Sequence, residues 1–218
     1  MRVNGYDEHF WIYRDGRTPC REFPGSYLLQ ALERRRPSGR ECQHRKPPAD
    51  AGVIVLGNID ASRFDINCNM VEHISSVFGE SATLDRFHGF IPGWEIPRMN
   101  SSMIANGWAI NTEYFAEVMH ALREDLTQSS LVDECLDVPK GADQRDLTAI
   151  KRLCTAFVKL LYPHAKSKED IDPQEFIEYC LEPAKEMRAV IKKQLCIIDP
   201  KEFNVPGKNS IPDIQYNY

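Results

Sequence analysis

A run of four apolar residues, Val53-Ile54-Val55-Leu56, is the strongest fold signal in this 218-residue chain. Consecutive β-branched and aliphatic side chains are typical of a strand buried on both faces, as in a parallel sheet. Apolar residues then recur near helical spacing from Met70 to Phe78, and Gly79 follows where a helix end favours glycine. A strand, a connection and a helix in this order predict an α/β fold.

The lengths of the apolar runs and the residues at the N-terminus indicate the cellular compartment of the protein. The run flanked by Gly52 and Gly57 is the longest strongly apolar stretch, far short of the roughly 20 residues of a membrane helix. Asp7 and Glu8 stand where a secretory signal has its cationic and apolar regions. The seven cysteines include no C-x-x-C pair. We therefore expect a cytoplasmic protein with reduced thiols, no metal site and no membrane partner.

Charge is unevenly distributed along the chain. Residues 1–50 contain ten Lys and Arg against seven Asp and Glu, whereas residues 51–218 contain 17 against 25. The stretch 34–48 is rich in arginine and proline and has no apolar periodicity, so it is predicted to be a loop or linker. Such a basic arm fits a solvated connector or a contact with nucleic-acid phosphates. No aromatic residue is interleaved for base stacking.

The stretch 84–99 combines prolines, glycines and aromatic residues. This composition predicts a rigid, partly buried loop rather than a regular element. Beyond it, the chain is predicted to be helical from residue 101 to about residue 200. The proline-punctuated stretch 205–212 is predicted to be frayed.

Three helices are expected in the second half. Asn111 is placed to cap the first, and a second is predicted from Arg145 to Tyr162, where Pro163 ends it. A third opens with Asp172 as its N-cap and is kinked or restarted at Pro183. The predicted apolar positions are Phe115, Val118, Met119, Leu122 and Leu126 in the first helix, Leu147, Ile150, Cys154, Phe157, Val158 and Leu161 in the second, and Phe176, Ile177, Cys180, Leu181, Met187, Val190, Ile191 and Leu195 in the third.

Several motifs resemble a known family. A strand ending in Gly57-Asn58, then Leu84-Asp85-Arg86-Phe87, then Gln144-Arg145-Asp146-Leu147 on a helix resembles the second half of an AAA+ ATPase. The loop His88-Gly89-Phe90-Ile91-Pro92-Gly93-Trp94-Glu95-Ile96-Pro97-Arg98-Met99 closely resembles the BrxL family, Lon-protease-like ATPases of bacterial BREX phage-defence systems. The likeness covers residues 51 to about 203, and the first 50 residues match poorly.

The resemblance implies a fold and a set of parts. Residues 51–100 would be the C-terminal part of a partial AAA+ core of the P-loop NTPase type, residues 101–203 an α-helical lid, and residues 204–218 a tail. Residues 1–50 would be a basic N-terminal segment and linker. ATP and Mg²⁺ are the cofactors that the resemblance implies, and AAA+ subunits in a homo- or hetero-oligomeric ring are the implied partners, with double-stranded DNA as a further one.

Three residues correspond to functional positions of that family. Asn58 stands at the sensor-1 position, where a polar side chain orients the attacking water, and Arg86 resembles the arginine finger that reaches a neighbouring subunit's nucleotide. Arg145 corresponds to sensor 2, on the lid over the nucleotide phosphates. Fixed donors and cations of this kind stabilise the charge that develops in phosphoryl transfer. On the residues alone, Asn58 also fits a turn and both arginines also fit surface charges.

The sequence departs from the family pattern at the phosphate-binding loop. No G-x-x-x-x-G-K-[ST] motif is present: Gly207-Lys208 is followed by Asn209, and Glu202 stands where the first glycine should be. A strand ending in Asp-Glu, which holds magnesium, and a G-x-S-x-G serine context are also missing from the sequence. We therefore expect neither autonomous ATP hydrolysis nor proteolysis from this chain.

Three interpretations of the chain remain open at this point. It is a truncated or partial product of a BrxL-like ATPase gene, a non-catalytic subunit that docks on an intact ATPase and offers Arg86 to it, or a small accessory protein that binds DNA through its basic arm. The first is the interpretation that the sequence favours.

Overall fold

The computed structural model describes residues 12–14, 18–20, 54–55, 67–71 and 80–218. The chain divides into two compact units, Met1–Arg86 and Phe87–Tyr218. The described residues are mostly helical and include two antiparallel strand pairs. In chain order the elements are β1 (Ile12–Arg14), β2 (Thr18–Cys20), α1 (Ser81–Leu84), a 3₁₀ turn (Ser101–Met103), α2 (Thr112–Leu122), α3 (Thr127–Cys135), β3 (Leu136–Asp137), α4 (Gln144–Leu161), a second 3₁₀ turn (Lys168–Asp170), α5 (Pro173–Phe176), a π turn (Ile177–Leu181), α6 (Glu182–Ile198), α7 (Pro200–Phe203) and β4 (Gln215–Tyr216).

The predicted parallel strand is not found at the two of its residues that are described. Ile54 and Val55 have no regular secondary structure, and Ile54 is 60% exposed. Among the described strands, β1 pairs with β2 and β3 with β4, both antiparallel. A strand buried on both faces requires parallel neighbours and a covering layer, so strand propensity alone does not place this run in a sheet. Val53, Leu56 and the sensor-1 candidate Asn58 lie outside the described residues.

The described end of the first unit is a short buried segment. Met70 and Val71 are buried, in agreement with the apolar positions that open the predicted helix, and the rest of that helix is outside the described residues. Helix α1 buries Thr83 and Leu84, and Asp85 directly after it is 5% exposed. The chain thus enters Arg86 from a buried turn.

The core of the second unit lies between α3, α4, the π turn and the start of α6. Helix α4 confirms the helix predicted from Arg145 to Tyr162 to within one residue at each end, and its buried Ile150, Cys154 and Val158 recur every fourth residue. No helix in the described part of the chain is long and apolar enough to cross a membrane. The buried core consists of Leu131, Val132, Cys135, Leu136, Ile150, Cys154, Val158, Ala165, Ile171, Phe176, Cys180, Leu181, Ala184, Ile214 and Tyr216.

Helix α2 begins as predicted and ends earlier than predicted. Asn111 caps it, because its Oδ1 accepts the backbone N–H groups of Glu113 and Tyr114. Leu126, predicted on the apolar face of this helix, instead follows its end and is 73% exposed. The reason is local: Oδ1 of Asp125 accepts the N–H of Thr127 at 2.9 Å and starts α3.

The third helix is interrupted just before Pro183 and restarts there, as predicted. Asp172 caps α5 as predicted, and five residues later the chain widens into the π turn, where the N–H of Glu182 donates to the carbonyl of Ile177. Proline lacks the N–H that an α-helical bond to Tyr179 would need, and the wider turn absorbs this loss. Helix α6 then continues for 17 residues.

The end of the chain packs on the core, beyond the stretch 205–212 that is predicted to be frayed. Strand β4 pairs with β3, with Tyr216 opposite Leu136. Ile214 is fully buried, and the ring of Tyr216 lies 5.5 Å from that of Phe176 between centroids. Residues two apart in an extended segment share a face, so Ile214 and Tyr216 enter the core together. The prolines that predicted a frayed end lie before this segment.

Candidate functional site

The two arginines singled out in the sequence belong to different units. Arg86 is half-buried just after α1, and its guanidinium donates to the carbonyl oxygen of Ala82 one turn earlier. Arg145 is exposed at the second position of α4. Each side chain has an ordinary place at or beside a helix end. The structure describes both residues but not Asn58.

Asp143 fixes the backbone at Arg145. Its Oδ1 accepts the N–H of Arg145 at 2.9 Å and that of Asp146 at 3.3 Å, which makes Asp143 the N-cap of α4. Burial acts to raise the pKa of Asp143, but the two backbone bonds and the nearby charges of Lys192 and Arg188 outweigh it, so this pKa lies below its usual value. The cap is therefore charged at neutral pH.

A buried cluster of three charges follows directly on Arg145. Asp146 and Arg188 are fully buried and Lys192 is 2% exposed. Arg188 Nε donates to Asp146 Oδ1 at 2.8 Å, and Lys192 Nζ donates to Oδ2 at 2.6 Å. Both oxygens of one carboxylate thus bind cations from successive turns of α6.

The cluster carries a formal charge of +1, because two cations share one carboxylate. Two neighbours offset part of this charge. The carbonyl of Phe87 accepts a hydrogen bond from Arg188 NH1 at 2.6 Å, and the Lys192 ammonium lies 5.7 Å from the centroid of the Phe203 ring. Placement of Asp146 in the first turn of α4 also suits the positive end of the helix dipole.

The segment 87–90 is held against α4 and α6. The N–H of Phe90 donates to the carbonyl of Met187 at 3.1 Å, and Arg152 NH1 lies 2.8 Å from Nε2 of His88. Gly89 fits so closely that a Cβ there would lie 2.8 Å from Cβ of Met187. The predicted loop is therefore fixed at its start, directly after Arg86.

Beyond Phe90 the loop turns outward. Most of the large apolar side chains from residue 91 to residue 115 are more than one third exposed, and Trp108 is fully exposed. We call this the exposed apolar segment. Its exposed members are Ile91, Trp94, Ile96, Met99, Met103, Ile104, Trp108, Ile110, Tyr114 and Phe115. Exposure of this many large apolar side chains in one segment is typical of an interaction surface.

The described cysteines of the core are unreactive thiols. Cys154 and Cys180 are fully buried, and burial raises the pKa of each to about 12. Within the described ranges, no group of three or more His, Cys, Asp or Glu residues is arranged to hold a metal ion. Cys42 and His44, the nearest pair to a metal signature in the sequence, lie outside those ranges.

Sequence reasoning did not find Arg188 and Lys192. The apolar stripe predicted for α6 used Met187, Val190, Ile191 and Leu195. The helix instead buries Ala184, Arg188, Ile191, Lys192, Gln194 and Leu195. The sequence feature that could have revealed them is a pair of cationic residues four positions apart on the apolar face of a helix. Such a pair is usually solvated, so a partner carboxylate on another helix had to be known first.

Comparison with known proteins places the likeness over most of the chain. The family described as "Lon-like protease BrxL-like, ATPase domain" matches residues 39–208, which extends the match inferred from the motifs at both ends. The Lon-like protease BrxL of Escherichia coli O9:H4 (strain HS) is 32% identical over 156 residues, 70% of this chain and 22% of that protein. The Lon-like protease BrxL of Bacillus cereus (strain H3081.97) is 31% identical over 151 residues, 66% of this chain. The chain spans 22% of the length of each of these relatives.

Proposed function

Because the chain belongs to the BrxL ATPase-domain family, we propose that it is a partial member of that family that carries the arginine-finger and lid side of an AAA+ ATP site. In this proposal residues 51–100 correspond to the C-terminal part of the α/β core and residues 101–203 to the helical lid. Residues 1–50 are a basic N-terminal segment and linker, and residues 204–218 are a tail. The work of the assembly is ATP-driven phage defence.

Three residues carry the proposed chemistry. Arg86 reaches the γ-phosphate of ATP held by a neighbouring subunit, Arg145 contacts phosphates from the lid, and Asn58 orients the attacking water. Charge spread over the transferring phosphoryl group is stabilised by cations fixed around it. The observation that carries the proposal is the family match over residues 39–208, which includes all three positions.

The ATP and its Mg²⁺ are held by the partner in this proposal. The sequence contains no G-x-x-x-x-G-K-[ST] motif, so its own backbone offers no phosphate cradle of that form. The chain therefore acts in trans, as a subunit within an assembly of AAA+ subunits. It is neither an autonomous ATPase nor a protease.

The exposed apolar segment supports assembly with a second AAA+ subunit. Contiguous apolar side chains outside a core are stabilised when a partner covers them. Trp, Tyr and Met are residue types enriched in protein interfaces, and Trp108, Tyr114 and Met99 are among the most exposed members. A neighbour seated here is the kind of partner that a trans-acting arginine requires.

ATP turnover tests the proposed role. The chain is titrated into a full-length BrxL protein chosen for a G-x-x-x-x-G-K-[ST] loop and measurable ATP hydrolysis. We expect the chain to change turnover per BrxL subunit, the Arg86→Ala variant to lose this effect, and the Arg123→Ala variant to keep it. Arg123 is the control because it is an exposed arginine outside the exposed apolar segment. An unchanged turnover with the original chain, or an equal effect of Arg86→Ala, overturns the proposal.

A further inference from the structure

We infer that Arg188 and Asp146 are positioning residues for Arg145 and for the segment 87–90 that follows Arg86, a role that rests on the proposed function. Arg188 bonds the carboxylate of Asp146, which follows Arg145 in the chain, and the carbonyl of Phe87, which follows Arg86. One buried guanidinium therefore contacts the residue that follows each arginine. Neither Arg188 nor Asp146 contacts nucleotide in this role.

Geometry suits the guanidinium to this task. Its planar group donates in several fixed directions, so that Nε can bond Asp146 Oδ1 at 2.8 Å while NH1 bonds the Phe87 carbonyl at 2.6 Å. Full burial of Arg188 keeps water from competing for these bonds. A lysine ammonium is a compact point donor on a flexible stem and cannot bridge the two acceptors in the same way.

Two further contacts restrict the segment on the Arg86 side. The Phe90 N–H bonds the Met187 carbonyl, and Gly89 packs against the Met187 side chain. Both contacts come from the residue that precedes Arg188 on α6. Three points along residues 87–90 are thus fixed to one turn of a rigid helix.

On the Arg145 side the restriction comes from two carboxylates. Asp143 caps the N–H groups of Arg145 and Asp146, and the side chain of Asp146 is bound by Arg188 and Lys192. The backbone of Arg145 is thus restrained on both sides, while the residue itself is exposed. The side chain remains accessible to solvent, and the position of its Cα is fixed.

Net stability is a poor explanation for this cluster. Desolvation of buried charges offsets most of their attraction, and well-packed apolar replacements are often as stable. The formal charge of +1 makes the cost greater here. A gain in geometric specificity accounts better for two cations and a carboxylate at this place.

Apolar replacement separates positioning from stability. In the triple variant Asp146→Leu, Arg188→Met, Lys192→Met the core keeps its volume, and we expect a Tm close to that of the original chain. The effect of this variant on ATP turnover of the P-loop-bearing BrxL protein is expected to fall at least about tenfold, because a displacement near 1 Å has consequences of that size. A triple variant that folds and modulates turnover like the original chain overturns the inference.

A single conservative variant provides a second test. Arg188→Lys keeps the positive charge and the contact with Asp146 but loses the hydrogen bond to the Phe87 carbonyl. We expect it to retain the Tm within a few degrees and to shift the ATP concentration at half-maximal turnover. An Arg188→Lys variant that matches the original chain in both quantities contradicts positioning by the guanidinium.

Amide hydrogen exchange tests the same inference without ATP. In the triple variant and in Arg188→Lys, amide exchange of peptides covering residues 87–90 should speed up at least about tenfold, while the centre of α4 keeps its protection. Unchanged exchange at residues 87–90 overturns the inference even if the ATP experiment succeeds. If exchange is faster in the variants but the original chain has no effect on ATP turnover, the positioning inference holds and the proposed function is wrong.

Discussion

Arg188 on α6 donates from Nε to Oδ1 of Asp146 on α4 across 2.8 Å, and both side chains are fully buried. The two residues are 42 positions apart in the sequence, and their bond joins α4 to α6. It also links the residue after Arg145 to the start of the BrxL-like loop through the Phe87 carbonyl. The cluster itself does not face solvent.

Removal of the guanidinium alone should be costly. The Arg188→Ala variant leaves the Asp146 carboxylate buried with only Lys192, and we expect a loss of about 3–5 kcal/mol in the free energy of unfolding. Lys185→Ala on the same helix removes a partly exposed pair with Glu182 and should cost less than about 1 kcal/mol. Urea unfolding measures both. Similar losses in the two variants would contradict the larger cost expected when a buried carboxylate loses one of its cations.

Gly89 should tolerate no side chain. In Gly89→Ala the new Cβ would lie 2.8 Å from Cβ of Met187, so α6 or the loop has to shift, at a cost of about 1–3 kcal/mol. Gly93→Ala in the same loop is the control, since nothing lies within 4 Å of a Cβ there. Its effect should stay within about 0.5 kcal/mol. Thermal unfolding distinguishes the two, and equal Tm values would contradict the close packing.

The Asp143 cap should give stability that depends on pH. Asp143→Ala removes acceptors from two N–H groups and should cost about 1 kcal/mol at pH 7, whereas Asp143→Asn keeps a capping oxygen and should cost less. Folding lowers the pKa of Asp143 below 3.8, so its charged contribution is present at neutral pH and is lost as the pH falls below 3.8. Unfolding curves from pH 7 to pH 2 should therefore show the Asp143→Asn variant and the original chain drawing closer in stability as the pH falls below 3.8. A constant difference would contradict the charge effect.

The buried thiols should resist alkylation. With the pKa of Cys154 and Cys180 raised to about 12, almost no thiolate exists at pH 8, and burial also blocks access. Cys68 is exposed and provides an internal control. Mass spectrometry after brief iodoacetamide treatment should find Cys68 modified and the two core thiols modified only after denaturation. Rapid labelling of Cys154 in the native chain would contradict the packing of α4.

The exposed apolar segment should serve assembly rather than folding. Trp108 is fully exposed, so Trp108→Ser should leave the free energy of unfolding within about 0.5 kcal/mol. The same change should weaken association with the P-loop-bearing BrxL protein, as measured by sedimentation velocity. Thr148→Ala on α4 provides a comparison outside the segment. Unaltered association of the Trp108→Ser variant would exclude Trp108 from the contact.

Helices were predictable where local signals agree. The caps Asn111 and Asp172 and the stripe of α4 combine capping chemistry with regular apolar spacing. The structure contains both caps and the stripe, except that Leu161 at its end is 46% exposed. The strand expected at Ile54 and Val55 failed because its formation depends on neighbouring strands, which periodicity does not report.

Long-range pairs were beyond local reasoning. The buried tail needed β3 as a partner for Tyr216, and the charges of Arg188 and Lys192 needed Asp146 on another helix. The family motifs identified Arg86 and Arg145 without any of these contacts. The contacts of the neighbouring residues Asp146 and Phe87 depend on the packing of α4 against α6, which sequence motifs do not report.

Native mass spectrometry tests the central claim most directly. The chain is measured alone and mixed with the P-loop-bearing BrxL protein, each with and without Mg-ATP. The account predicts mixed assemblies whose bound nucleotides equal the number of BrxL subunits, and no nucleotide on the chain alone. Nucleotide bound to the isolated chain, or the absence of mixed assemblies, would contradict a subunit that acts on ATP held by its neighbour.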